Sequence, residues 1–268
     1  MCIRVTAANV NGGHVASPII WYFVKFFKAE DEQYADAFMR GDMRLNRLSY
    51  FRDMEVAEDA DDDGRPDRHE AVANWWLPDD VQFKLTAPGI GEVNIGPSDL
   101  AEPVYTSFEY HANLNILCLY AVRSVGFESI DGNIRFEPEQ EAEVFRQLLV
   151  DERVFKFGEI AVVAHGPSFA AHMKRALQSR GQNFKGGLIE YYDESVSHSE
   201  TEFERIPFRK QSRYSYQNEY RICVDTGIPG DSPLDISVGD ISSFCAKVKS
   251  DTLNEVLKFG SRDMESAG

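Results

Sequence analysis

Two stretches of the 268-residue sequence carry side chains whose types and spacing could do chemistry. The first is Ile206 to Val224, Ile-Pro-Phe-Arg-Lys-Gln-Ser-Arg-Tyr-Ser-Tyr-Gln-Asn-Glu-Tyr-Arg-Ile-Cys-Val. A basic cluster (Arg205, Arg209, Lys210, Arg213) is interleaved with aromatics. A Gln-x-Glu pair, Gln217 and Glu219, follows, then Arg221, and an apolar run closes the segment. In an extended chain, period-two alternation places Gln217, Glu219 and Arg221 on one face. The stretch Arg205 to Tyr216 could admit RNA or DNA locally through charge and stacking. The plainer reading is a solvated Glu219–Arg221 ion pair of little energetic value, with Tyr214, Tyr216 and Tyr220 as ordinary strand residues.

The second stretch is acidic. Asp59 to Glu70 matches the twelve-residue calcium-loop pattern, with Asp59, Asp61, Asp63 and Glu70 at ligand positions and Gly64 at the sharp turn. Oxygen-rich spacing of this kind suits a hard cation, and a calcium-regulated domain is one expectation. Pro66, however, stands where an apolar branched residue normally makes a short strand contact, and Ala71 to Pro78 is a poor exiting helix. The same block also reads as a solvated acidic loop. In a further reading, Arg65, Asp67 and Glu70 turn inward and help shape the site.

Other candidates carry less. His165 follows a buried-type strand and could be a base at a strand end, but a loop histidine with a satisfied hydrogen bond is the plainer assignment. His69, His111, His172 and His198 lack metal spacing. Cys2, Cys118, Cys223 and Cys245 form no CxxC pair, which argues against a zinc ribbon. Cys118 and Cys223 sit in apolar runs and read as buried reduced thiols, which fits a cytosolic compartment. The sequence has no Gly-x-Ser-x-Gly elbow, no GxGxxG after a strand and no GxxxxGK[ST], so serine-hydrolase, Rossmann and P-loop chemistry are disfavoured.

The elements that must position these residues can be read from periodicity. Residues 1–17 read as a flexible, polar leader without a signal peptide. Ile19 to Phe27 reads as a strand. Glu30 to Arg40 reads as a helix with Tyr34, Ala37 and Phe38 on one face and Gly41 as its stop. Met43 to Phe51 reads as a second strand, 53–70 as the acidic loop, and Trp75 to Leu100 as short strands with Pro/Gly turns. Trp75-Trp76 reads as core or interface. Asn115 to Val122 reads as a strand and Gln140 to Leu149 as an amphipathic helix. Ile160 to Ala164 is a buried-type strand. A helix runs from Ser168 to Ser179, capped by Ser168 or begun by Pro167, and ends near Gly181. Lys185-Gly186-Gly187 reads as a turn, Leu188 to Tyr192 and Tyr214 to Asp225 as strands, 227–239 as a turn-rich crossing and Thr252 to Phe259 as a terminal helix. This mixed order departs from regular βα alternation. It predicts a single α+β domain over 18–268, with a mainly antiparallel sheet and flanking helices.

Gln217-Asn218-Glu219 at the entry of a late strand resembles the Gln-x-Glu motif of ADP-ribosyltransferases. The early order is similar too: a strand with a basic residue (Lys25), a helix, then a strand carrying a tyrosine (Tyr50). The segments Gly41 to Arg52, Lys156 to Val163 and Tyr214 to Arg221 also resemble a group of uncharacterised bacterial and phage-defence proteins. The resemblance implies an ADP-ribosyltransferase-like fold and an NAD-dependent transferase, a toxin or anti-phage effector. Cleavage of the nicotinamide–ribose bond passes through an oxocarbenium-like state that a carboxylate stabilises. Glu219 would have that role, Gln217 would orient the acceptor and Tyr50 would stack on the nicotinamide. Lys25, or one of Arg44, Arg47 and Arg52, would pair with the pyrophosphate, and Tyr22 and Arg221 complete the cofactor-binding set. No Ser-Thr-Ser triplet follows the first strand, and Lys25 stands in place of the family's usual Arg or His.

Composition bounds the partners. With 43% hydrophobic and 12% aromatic residues the chain can bury a sizeable core. A net charge of −16 repels the phosphate backbone and leans toward a protein acceptor, unless a local basic patch admits RNA or DNA. An antitoxin or regulatory protein that covers the site is a further expected partner. The apolar stretch from Pro18 to Phe27 is too short to span a bilayer and contains Lys25, so no membrane is expected. The rival to the enzyme is a non-enzymatic binding protein of a phage-defence system with an inactive version of the fold.

Overall fold

Nine residues rich in aromatic and branched side chains, Ile19–Phe27 (β1), form the strand expected of them, and they run through the sheet's interior because both faces are apolar. The computed structural model describes residues 18–54, 67–89, 91–130, 133–136 and 138–257. The expected leader, 1–17, and most of the acidic loop, including Asp59, Asp61 and Asp63, lie outside the described residues.

After β1 come the helix α1 (Glu32–Met39), the strand β2 (Asp42–Arg47) and the short helix α2 (Leu48–Arg52). Later elements are β3 (Asn115–Ser124), helix α3 (Glu141–Leu148), β4 (Ile160–His165), helix α4 (Gly166–Ser179), β5 (Asn183–Leu188), β6 (Glu219–Asp225), β7 (Leu234–Ser237) and β8 (Cys245–Lys249). These eight strands form one sheet in the order β5-β6-β3-β1-β4-β8, with β2 bridging β3 and β7. Every pairing in it is antiparallel. The protein is thus mixed α+β with a mainly antiparallel sheet.

One face of the sheet is covered by α1 and α4. Phe23, Leu119, Ala121, Val162, Tyr220 and Ile222 meet Ala35, Phe38, Phe169, Met173 and Leu177 there. The other face holds two separate apolar clusters. Val24, Tyr120, Val122 and Val163 pack on Val144, Leu148 and Val154. Ile116 and Cys223 pack on Leu48, Ile189, Ile206 and Phe208. Between β3 and β6 the register pairs Glu219 with Tyr120, Arg221 with Cys118 and Cys223 with Ile116. Directly opposed residues share a face. The Glu219–Arg221 stretch therefore fills the gap between the two clusters.

Several local expectations change. Met43 to Phe51 is not one strand: the chain turns at Arg47 and continues as α2, so Tyr50 sits on a helix. The cause is Arg47, buried, whose guanidinium donates to the carbonyls of Asn113, Ser232 and Ile228 and ties the turn to distant loops. On α1 the buried positions are Ala35 and Phe38, while Tyr34 is exposed. Lys185-Gly186-Gly187 lies within β5 rather than in a turn. A Cβ on Gly186 would come within 2.5 Å of the Tyr220 hydroxyl, so glycine there makes room for the neighbouring strand. Residues 212–217 form a 3-10 helix rather than the start of a strand. The crossing 227–239 contains β7. The terminal helix is short, Leu253–Val256, and nothing after residue 257 is described.

Candidate functional site

Arg221 is the largest fully buried side chain of the described residues, at 0% exposure. A buried guanidinium is costly unless its hydrogen bonds are satisfied, and here they are. Nη1 and Nη2 donate to the two carboxylate oxygens of Glu70, each at 3.1 Å, in a bidentate pair. Nε donates to Glu219 Oε1 at 2.9 Å, and Nη1 also donates to the Pro207 carbonyl at 2.6 Å.

Lys210 completes the network from the short strand Arg209–Gln211, which pairs in parallel with Glu190–Tyr192. Its ammonium donates to Gln217 Oε1 at 3.0 Å and to Glu219 Oε2 at 3.3 Å, and lies 3.2 Å from Glu70 Oε1. It also sits 5.1 Å from the Tyr214 ring centre, in cation–π range. Two carboxylates and two cations thus meet with their formal charges balanced.

The electrostatics follow from that balance. Burial alone would raise the Glu219 carboxyl, but Arg221, then Lys210, reverse the effect and hold it at about 2. Burial would lower the Lys210 ammonium, yet Glu219 and Glu70 hold it above its ordinary value. Cys118 is pushed up by burial and by Glu219, so it stays a neutral thiol, unsuited to nucleophilic attack. Tyr191 accepts the Glu219 backbone N–H at 2.9 Å, and burial raises its own hydroxyl.

Gln217 reaches this network by an unexpected route. The chain does not run extended from Gln217 to Glu219, because Asn218 adopts the left-handed conformation at φ 40°, ψ 46°. Its side chain makes the turn affordable: Nδ2 donates to the Ala121 carbonyl and Oδ1 accepts from Arg123, both at 2.7 Å. Period-two alternation therefore holds for Glu219 and Arg221 but not for Gln217.

A cavity of about 250 Å³ opens beside the network. Lys25, Tyr50, Gln217, Glu219, Glu70 and Lys210 all line it, with Cys118, Tyr120 and Phe51. Lys28 and Asp31 also line it, and Lys25 Nζ donates to the Cys118 carbonyl at 3.1 Å. Tyr50, 52% exposed, is one of the cavity's lining residues.

The other sequence candidates lie elsewhere. Tyr22 packs in the cluster with Val24 and Tyr120 and meets His165 edge-on. Arg44 is exposed on β2, opposite Asp235. Arg52 pairs with Asp53 at 2.8 Å. Arg221 is sealed beneath the network and does not line the cavity. Glu70, read above as the last calcium ligand, has both oxygens engaged by Arg221. Asp67, also buried, accepts the His69 backbone N–H at 3.0 Å. Among the described residues no group of three or more His, Cys, Asp or Glu is spaced to hold a metal. His165 is exposed and lies 2.8 Å from the Ser168 hydroxyl. In the basic stretch, Arg209 is buried over Tyr192, Lys210 is in the network, Arg205 pairs with Glu190 and Arg213 lies over Tyr214. No helix among the described residues is long and apolar enough to cross a membrane.

Sequence reasoning missed the role of Lys210, which read as one charge of a surface cluster. The only local hint is its place two residues after the buried run Ile206 to Phe208. Comparison with protein-family models, with curated proteins and with solved structures finds no match to this chain.

Proposed function

We propose that the chain is an NAD-dependent ADP-ribosyltransferase-like enzyme. The observation that carries this reading is the convergence of Lys25, Tyr50 and the Gln217–Glu219 pair on one cavity from three separate parts of the sequence. The toxin or anti-phage role comes from the sequence resemblance alone.

The charge state of Glu219 selects among carboxylate roles. A general acid or base works best with a pKa near the working pH. Glu219 is held far below that, so it is permanently ionised and a poor proton carrier. What remains is to accept hydrogen bonds from sugar hydroxyls and to face developing positive charge. In that reaction the ribose–nitrogen bond breaks and its electron pair leaves with nicotinamide. The acceptor's nucleophile then bonds to the sugar carbon and gives up its proton to solvent.

Size limits what can enter: at about 250 Å³ the cavity is smaller than a whole dinucleotide needs. Small-molecule pockets usually span about 300–1,000 Å³, so this cavity takes the nicotinamide–ribose end while the rest of the dinucleotide lies outside. Lys25 and Lys28 on the cavity lining supply positive charge for the pyrophosphate, and Tyr50 supplies a stacking face. The basic stretch offers few free charges, since Arg209 and Lys210 are buried, and a protein acceptor is the better fit.

The test is incubation with NAD labelled in its adenylate half, followed by assay of released nicotinamide and by protease or nuclease digestion. Nicotinamide release, with label in one macromolecular fraction, is expected. Release of neither product across a range of acceptors overturns the reading.

One observation favours the rival, a non-enzymatic binding protein with an inactive version of the fold. Both Glu219 oxygens are already held by cations. That reading expects no nicotinamide release from the unaltered chain and full biological activity in a folded Glu219→Gln variant.

A further inference from the structure

We propose that Lys210 is the positioning residue of the Gln217–Glu219 pair, so that a side chain from outside the strand sets the pair's geometry. Strand periodicity cannot do so, because the left-handed turn at Asn218 breaks the extended run between the two residues. A single ammonium spans the break, 3.0 Å from Gln217 Oε1 and 3.3 Å from Glu219 Oε2. The same ammonium lies 3.2 Å from Glu70, which anchors it to the Arg221 side of the network.

Lys210 differs from Arg221 in a telling way. Both neutralise Glu219, but Arg221 is fully buried and does not line the cavity, while Lys210 does. Arg221 grips Glu219 through Nε and Nη2, and so acts on one member of the pair. Lys210 fixes both, and fixes them relative to each other. Its burial reinforces this, since an ammonium held out of water keeps its partners in place or pays the full cost of desolvation. By bonding the amide oxygen, it also settles which end of Gln217 faces inward.

The value of this alignment for turnover rests on the transferase reading above, whereas the alignment itself can be measured without NAD. Two variants separate positioning from simple charge balance. Lys210→Met leaves two carboxylates against one guanidinium. Lys210→Met combined with Glu70→Gln removes one charge of each sign and restores neutrality. If Lys210 only balances charge, the double variant regains both stability and activity. If it positions the pair, stability returns while alignment does not.

The experiment records urea midpoints, the ¹⁵N–¹H signal of the Gln217 side-chain amide (identified by its loss in Gln217→Ala), and kcat and KM for nicotinamide release. The double variant is expected to recover most of the stability lost by Lys210→Met. Its Gln217 amide signal is expected to collapse toward the exchange-averaged position of a free glutamine. Its kcat should fall about 100-fold, the scale of a misplacement of roughly 1 Å, with KM little changed. A Gln217 signal and a kcat both equal to those of the unaltered protein would overturn the proposal. Should the unaltered protein release no nicotinamide, the transferase reading fails, and the amide signal alone decides whether Lys210 holds the pair.

Discussion

Replacing Arg221 with methionine is the sharpest probe of the buried network. Methionine keeps much of the side-chain volume and removes the charge, so Glu70 and Glu219 are left with Lys210 alone. Breaking a buried ion pair by deleting one partner costs about 3–5 kcal/mol. The Pro207 carbonyl loses its 2.6 Å donor as well, which adds roughly 1–3 kcal/mol if water cannot replace it. A loss of about 5 kcal/mol follows, equivalent to a drop in Tm of roughly 10–20 °C for a chain of this size. The pH dependence gives a second signature. Glu219 has a folded pKa lowered from 4.5 to about 2, so it stabilises the fold above its unfolded pKa. That stability, about 3 kcal/mol for such a shift, is lost as pH falls from about 4.5 toward 2. Without Arg221 the carboxyl rises, and protonation then relieves the excess negative charge. The stability gap between the two proteins should therefore narrow as pH falls from 5 to 3. Urea unfolding followed by tryptophan fluorescence at several pH values measures both effects. A gap under about 1 kcal/mol at pH 7, or one that stays constant with pH, would refute the account of a high-stakes buried network.

Three further outcomes are expected. Asp67 is pushed up to about 6 by burial and then by Glu70. A raised carboxyl stabilises the fold below its unfolded pKa of 3.8 and loses that contribution as pH rises through 6. Asp67→Asn should therefore be more stable than the unaltered protein at pH 7.5 by up to about 3 kcal/mol, with the difference vanishing below pH 4 in the same urea assay. Tyr50→Ala changes an exposed side chain, so the unfolding free energy from urea titration should change by no more than about 0.5 kcal/mol while nicotinamide release falls at least 10-fold; equal turnover would remove Tyr50 from the site. Gly41 has φ +89°, and a Cβ there would lie 2.0 Å from the Gly239 carbonyl oxygen. Gly41→Ala should lower the thermal midpoint by several degrees, an effect of about 1–3 kcal/mol, and an unchanged midpoint would show that the two turns separate freely.

Much of the frame was legible in the amino-acid order because it depends on short-range physics. Branched and aromatic runs at Ile19, Asn115 and Ile160 form strands near the expected bounds. Pro167 starts α4 and Gly181, at φ +64°, follows its end. Gln217, Glu219, Tyr50 and Lys25 were legible as candidates by residue type and order. Their conformations were less so. The turn at Arg47 that puts Tyr50 on a helix depends on carbonyls from residues 113, 228 and 232. No local pattern near Tyr50 contains them.

The network itself is a product of the tertiary structure. Glu70 and Arg221 are separated by 151 positions; an inward turn of Asp67 and Glu70 is one reading of the acidic stretch, and both are buried, but nothing in the spacing names Arg221 as the partner. Lys210 looks like a surface charge among others until the gap between two apolar clusters closes over it. Sequence spacing encodes the period of a strand or a helix, and hence which residues share a face. It does not encode which other face arrives opposite. For apolar residues that gap matters little, since any apolar partner serves. For charges it decides everything, because a buried carboxylate is tolerable only beside a particular cation at hydrogen-bonding distance.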